Sequence, residues 1–193
     1  MAGPHLGRTA VLVLAGTAFL RTAHTTPVPT VRQAAVACRA WVYVADRDPA
    51  GLNVRAGPGG GSEVIGRIPR QHAGTMLRIV ESRGGWLRYD TVVVIVEGDK
   101  PAAAAPRGGW VFGALLGTTA RPVGGRPDGE VVLRQAADTT SAVRGRLRGE
   151  ETLAVVRGCS GAWLEVAIRR GEERLTGWLA PQDQCGNPVT TCP

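Results

Sequence analysis

The chain contains an internal repeat, and this repeat limits the possible folds more than any other feature of the sequence. Four motifs of the first copy return in the same order in the second: Val54-Arg55 as Leu133-Arg134, 62–68 as 141–147, Trp86-Leu87 as Trp163-Leu164, and Gly109-Trp110 as Gly177-Trp178. The first copy carries most of its extra residues between Trp86 and Trp110, where a loop would lie. Each copy is therefore one small module of roughly 65 to 75 residues.

Short apolar stretches separated by turn residues predict strands in both copies. Residues 41–44 show an alternation of period 2, which suits a half-buried strand, and residues 76–81 and 86–89 flank a Ser-Arg-Gly-Gly turn, which is typical of a hairpin. No stretch shows a convincing helical period. The sequence thus predicts an all-β chain with one small barrel in each copy.

The order of motifs resembles the bacterial Src-homology-3 (SH3b) domain. The first copy has Leu-Asn-Val-Arg-Ala-Gly-Pro at 52–58, then Gly66-Arg67-Ile68, Gly85-Trp86 and Gly109-Trp110-Val111. The second copy is more divergent, with Gln-Ala-Ala at 135–137 in place of the Gly-Pro turn. The resemblance implies two tandem small SH3-like β-barrels, each able to carry a shallow groove lined by aromatic side chains that binds peptide or glycan.

Motif positions and composition predict the following organisation: a signal peptide at 1–23, a linker at 24–40, a first SH3-like domain at 41–117, a linker at 118–127, a second, divergent domain at 128–184 and a C-terminal tail at 185–193.

Export is predicted from the N-terminus. Arg8 precedes an apolar run at 9–20, which has the length of a secretory core and is too short to span a membrane. The mature chain is accordingly expected in the envelope or outside the cell, without a transmembrane segment. Small residues at 35–37 before Cys38 leave open a second possibility, an acylated lipoprotein cysteine.

Four cysteines in an exported chain of small modules predict disulfides, with three possible pairings. Cys159 lies in the turn before Trp163, and Cys185 follows the last strand of the same module. This placement favours a Cys159–Cys185 bridge and leaves Cys38 and Cys192 to pair across the modules or to stay free.

Charge and motifs exclude several function classes. The formal net charge is +7, but the arginines are scattered and no nucleic-acid-reading motif is present, so nucleic acid is not an expected partner. The sequence lacks a Cys-x-x-Cys clip and a nucleophile motif, and the glycines at 59–61 lack the Lys-Ser/Thr ending of a phosphate loop. We therefore expect no metal, no cofactor and no enzymatic activity.

Five aromatic residues of the first module are the candidate ligand-binding residues. Trp86 and Trp110 have counterparts in the second module, which favours a role in folding. Trp41, Tyr43 and Tyr89 have none, and Tyr89 aligns with Val166, so these three are predicted to be surplus to packing and to form the binding face. Trp41 and Tyr43, two apart on a strand, would share a face.

The resemblance implies a non-enzymatic protein that binds peptidoglycan through its first module. Two alternatives remain at this point. The chain could be an adaptor that binds an envelope protein, or an accessory subunit of a wall hydrolase.

Overall fold

The structure is a computed structural model that describes residues 33–70, 74–95, 104–122, 129–148, 152–187 and 189. The predicted signal peptide lies outside these residues. The all-β prediction is confirmed: the described strands form one antiparallel sheet, which does not close, and no helix in this part of the chain is long and apolar enough to cross a membrane. Both repeats belong to a single compact unit of the chain, which begins at Gln33.

The strands follow one another through both repeats: β1 (Val36–Val44), β2 (Leu52–Arg55), β3 (Val64–Ile68), β4 (Thr75–Arg83), β5 (Trp86–Val94), β6 (Gly109–Phe112), β7 (Leu116–Ala120), β8 (Glu130–Arg134), β9 (Val143–Arg148), β10 (Thr152–Ser160), β11 (Trp163–Arg170), β12 (Glu173–Leu179) and β13 (Gln184–Cys185). A 3₁₀ turn precedes β7 at Gly113–Leu115, and another precedes β13 at Pro181–Asp183.

The sequence repeat recurs in the strand pairing. The first half of the sheet has the order β3-β2-β6-β5-β4-β1-β7, and the second half, read from its far edge, has the order β9-β8-β12-β11-β10-β7-β13. These two orders are identical once each strand is replaced by its counterpart. Strand β7 belongs to both, as the last strand of the first repeat and the first strand of the second.

Arg55 and Arg134, the arginines of the repeated motif, make equivalent hydrogen bonds in the two copies. Arg55 donates from Nη1 to the carbonyl oxygen of Ser62 at 2.6 Å, and Arg134 donates from Nη1 to that of Ser141 at 2.8 Å. Each bond spans the turn between two paired strands, next to a bulge in their register. The Arg and Ser of the repeated motif thus fix this hairpin in each repeat.

The core is continuous across the two repeats. Alternate residues of the strands point inward, as in β2, where Leu52 and Val54 are buried and their neighbours are partly exposed. Leu77 and Leu87 of the first repeat belong to the same cluster as Leu164 of the second. The repeats are consequently packed on each other and not merely tethered.

The linker predicted at 118–127 does not begin where the sequence indicated. Residues 118–120 form the second half of β7, all five residues of which are buried. Thr118 donates its hydroxyl to the carbonyl oxygen of Cys185 at 3.1 Å, and the Arg121 amide donates to that of Asp183. The strand shared by the two repeats therefore replaces the start of the linker, and residues 123–127 lie outside the described part of the chain.

The predicted Cys159–Cys185 bridge is wrong, because Cys159 pairs with Cys38. Strand β1 begins at Val36, within the predicted linker at 24–40, and this extension carries Cys38 to the β10–β11 turn. The Arg39 amide donates to the carbonyl oxygen of Gly161 at 2.6 Å beside the bridge. The disulfide thus joins the first repeat to the second. Because the Cys38 sulfur is part of this bond, it is not a free thiol that could be acylated.

The remaining two cysteines are described only in part. Cys185 is disulfide-bonded and buried on β13, opposite Thr119 of β7. Cys192 lies outside the described residues.

Asp183 is expected to make stability depend on pH. It is buried where the first repeat has Leu115, and burial raises its pKa to about 6. The folded state therefore holds this proton more tightly than the unfolded state, so the Asp183 contribution to stability is largest at about pH 4 and declines as pH rises to about 6. We expect Asp183→Asn to be more stable than the parent at about pH 7.5, but not at about pH 4, in urea unfolding.

Asp138→Asn is the control, since backbone and side-chain hydrogen bonds from Thr140 lower the pKa of Asp138. It should lose stability at neutral pH relative to the parent. An Asp183→Asn variant with the same pH dependence as the parent would contradict the assignment.

Candidate functional site

The candidate site lies on the outer face of strands β2, β5 and β6 in the first repeat. Val54, Leu87 and Val111 of these strands point into the core. Because side chains alternate along a strand, the residues next to them point outward. The outward residues include Asn53, Arg55, Trp86 and Phe112.

Trp86, which is half-buried, and Phe112, which is exposed, form an aromatic pair. They are opposite each other in the β5–β6 register, and their ring centroids are 5.3 Å apart at an angle of 44°. Phe112 is 42% exposed, although a large apolar side chain is more stable when buried. The pair borders an open pocket of about 220 Å³, called here the aromatic pocket, which is lined by Asn53, Arg55, Trp86, Phe112 and Leu115.

Two polar side chains border the aromatic pocket. The Arg55 guanidinium lies 5.8 Å from the Trp86 ring centroid, and its bond to the Ser62 carbonyl holds it there. The amide oxygen of Asn53 is buried without a hydrogen-bond partner in the described structure. Leaving such an oxygen unpaired costs about 1 to 3 kcal/mol, and a ligand in the pocket could pair with it once the Asn53 side chain has turned outward. The pocket thus offers ring faces, a cation and an amide to a ligand.

A second pocket is lined by residues of both repeats. It has a volume of about 350 Å³ and is called here the seam pocket; it is lined by Gln33, Gly84, Gly85, Phe112, Ala114, Arg157 and Glu165. Phe112 lines both pockets. The two pockets thus share this side chain as a wall.

Glycine is favoured at two positions of this seam for different reasons. Gly85 has φ +80°, and a β-carbon there would lie 3.9 Å from the Phe112 ring and 4.0 Å from the Arg157 carbonyl oxygen. A β-carbon on Gly113 would lie 2.9 Å from the carbonyl oxygen of Gly85 and 3.1 Å from that of Val156. The contacts at Gly85 are ordinary, so its positive φ is what favours glycine there, whereas a side chain at position 113 would push β10 away from the first repeat.

Of the five predicted ligand-binding residues, only Trp86 lines the aromatic pocket. Trp110 lies on the same face of the sheet as Trp86 but is only 7% exposed. The Arg83 guanidinium lies 5.9 Å from the centroid of the Trp110 ring. Trp41 is 38% exposed on β1, where the C-terminal Gly186 packs against it, and does not line either pocket.

The prediction that Tyr43 and Tyr89 are surplus to packing is wrong. Tyr89 is 1% exposed, burial raises its pKa to about 12, and its hydroxyl donates to the carbonyl oxygen of Pro106 at 2.8 Å. Pro106 belongs to the loop that only the first repeat has, which explains why Val166 replaces Tyr89 in the second. Tyr43 is 7% exposed against Gly117, and burial raises its pKa as well.

The sequence interpretation missed Asn53, Arg55, Phe112 and Leu115. Strand alternation could have identified Phe112, because a buried Val111 places its neighbour on the outer face. The second repeat retains Arg134 and Trp163 at the matching positions. It replaces the other three residues by Val132, Ala180 and Asp183. The complete aromatic pocket is thus a property of the first repeat.

The described residues contain no group of three or more His, Cys, Asp or Glu side chains that could hold a metal ion. Comparison with protein-family models, with curated proteins and with solved structures finds no match to this chain. Its function is therefore inferred from the pockets themselves.

Proposed function

We propose that this chain is an exported, non-enzymatic binding protein whose aromatic pocket holds cell-wall peptide. The observation that carries the proposal is the partly exposed Trp86–Phe112 pair, flanked by Arg55 and by Asn53 with its unpaired amide oxygen. Ring faces present a large contact area at a low cost in side-chain entropy, and they suit the flat amides and methyl groups of a peptide. A cation and an amide at the rim supply hydrogen bonds that orient it.

The strand pairing supports a bacterial SH3 origin for this site. Both repeats share one strand order, and the Leu-Asn-Val-Arg motif of the resemblance supplies two pocket residues, Asn53 and Arg55. We propose that the two halves of the sheet are two SH3-like barrels joined through β7, and that only the first has kept the aromatic pocket.

Export is supported by the cysteines. A disulfide between two nearly buried cysteines, Cys38 and Cys159, is typical of proteins that fold in an oxidising compartment. It stabilises a pair of small modules, which is a common need of secreted domains. This location would bring the aromatic pocket to the cell wall.

Phe112→Ala is expected to weaken retention on purified sacculi about tenfold, because it removes an exposed ring that forms one wall of the pocket. Co-sedimentation of the purified protein with sacculi measures this loss. The matched control is Val143→Ala, since Val143 has a similar exposure, 41% against 42%, but lies on β9 at the far edge of the sheet. The control should bind like the parent.

The alternative adaptor function gives a different result. An adaptor would not co-sediment with sacculi, and it would capture one envelope protein in a manner sensitive to Phe112→Ala. If the parent binds sacculi but Phe112→Ala and Val143→Ala bind equally well, the aromatic pocket is not the binding site.

A further inference from the structure

The seam pocket contains two opposite charges without ion-pair partners. Arg157 and Glu165 are both exposed and line this pocket, and neither forms an ion pair with another described residue. They belong to strands β10 and β11 of the second repeat, whereas Phe112 belongs to the first. The site proposed above therefore has one charged wall that comes from the second repeat.

In the first repeat, the two positions that match Gly158 and Glu165 hold an ion pair. There, Glu81 and Arg88 are opposite each other on β4 and β5, and Arg88 donates to the Glu81 carboxylate at 2.9 Å. The corresponding pair in the second repeat is Gly158 and Glu165. Replacing the first member of the pair by glycine leaves Glu165 without a partner on the neighbouring strand.

Packing between the repeats explains the glycine but not the charges. A β-carbon on Gly158 would lie 3.1 Å from the Glu165 carboxylate and 3.4 Å from the Ser82 hydroxyl of the first repeat. Glycine is thus favoured where β10 meets β4. The same packing would be served by a neutral residue at position 165, and nothing in the contacts of Arg157 requires a cation at that position.

We infer that the seam pocket binds an amino-acid end group, with an ammonium and a carboxylate on one carbon, on a peptide whose remaining part lies in the aromatic pocket. The Arg157 guanidinium matches the carboxylate, and the Glu165 carboxylate matches the ammonium. Phe112 borders both pockets, so the peptide is placed along this side chain. The inference rests on the proposed function and specifies its ligand.

Cell-wall peptides differ in whether they carry an amino-acid end group of this kind. A stem peptide with meso-diaminopimelate carries an ammonium and a carboxylate on the terminal carbon of that side chain, whereas one with lysine carries only the ammonium. The pair of Arg157 and Glu165 fits the first type better, since lysine leaves the guanidinium without a carboxylate. The second repeat is then part of the binding site.

Two soluble stem tripeptides, one ending in meso-diaminopimelate and the other in lysine, test the inference by isothermal titration of the full protein. The parent is expected to bind the diaminopimelate peptide about tenfold more tightly. Arg157→Ala should abolish this preference, while Glu165→Gln should weaken both peptides by a similar factor. Arg169→Ala, an exposed arginine of β11 outside both pockets, is the matched control and should retain the parent affinities.

Two results would overturn the seam-pocket ligand and leave the proposed function in place. Equal affinity of the parent for the two peptides, with loss of both in Phe112→Ala, would overturn the inference and leave the aromatic pocket as the binding site. Retention on sacculi without binding of either tripeptide would also overturn it. If neither sacculi nor tripeptides bind, both proposals are overturned.

Discussion

Replacing both Cys38 and Cys159 by alanine is expected to lower the free energy of unfolding by about 4 to 5 kcal/mol. The bridge closes a loop across a sequence separation of 121 residues, so its loss frees a large part of the unfolded chain. Alanine fits both sites, which are nearly buried, without introducing an unpaired hydroxyl group. Urea unfolding followed by tryptophan fluorescence measures the change.

The control is the stability of the parent protein measured in the presence of a reductant. The parent should lose at least as much stability in dithiothreitol as it loses through the double substitution, because reduction also opens the disulfide of Cys185. A double variant within about 1 kcal/mol of the oxidised parent would contradict the Cys38–Cys159 bridge.

Tyr89→Ala is expected to lower the free energy of unfolding by about 3 to 4 kcal/mol, because it leaves a cavity the size of an aromatic ring in the first repeat. Tyr89→Phe should cost only about 1 kcal/mol, since it keeps the ring and removes the single hydrogen bond to Pro106. Thermal and urea unfolding of the two variants separate the contribution of the ring from that of the hydroxyl.

Phe112→Ala is the control for Tyr89→Ala, because Phe112 is an aromatic residue of the same repeat that remains 42% exposed. It should unfold close to the parent. A Tyr89→Ala variant that is as stable as Phe112→Ala would show that Tyr89 is not part of the core, in agreement with the prediction from the sequence alone.

The sequence predicted the strand class and the repeat because both depend on local pattern. Alternation in residues 41–44 and the paired Trp86 and Trp163 motifs need no tertiary information. The boundary between the repeats was less predictable. Strand β7 is used twice, and residues 118–120 contain no signal that distinguishes a shared strand from the start of a linker.

Disulfide pairing and the site depended on contacts that sequence spacing does not encode. Cys159 is closer in sequence to Cys185 than to Cys38, but the early start of β1 brings Cys38 to it instead. The alignment of Tyr89 with Val166 predicts that Tyr89 is surplus to packing, but the loop carrying Pro106 changes the packing requirement in the first repeat alone.

Phe112 illustrates how the site could have been found. Its position next to a core valine indicates an outward side chain, and the second repeat has Ala180 there. The contribution of Arg157 and Glu165 was not predictable, because it arises only where the second repeat packs on the first.

Amide chemical shifts recorded during titration with the diaminopimelate tripeptide test the central claim most directly, since they locate the bound ligand without a substitution. The largest shifts should occur at Asn53, Arg55 and Phe112 and at the indole N–H of Trp86. Shifts centred on the exposed Trp41 of β1, with these four groups unchanged, would contradict the assignment of the aromatic pocket as the ligand-binding site.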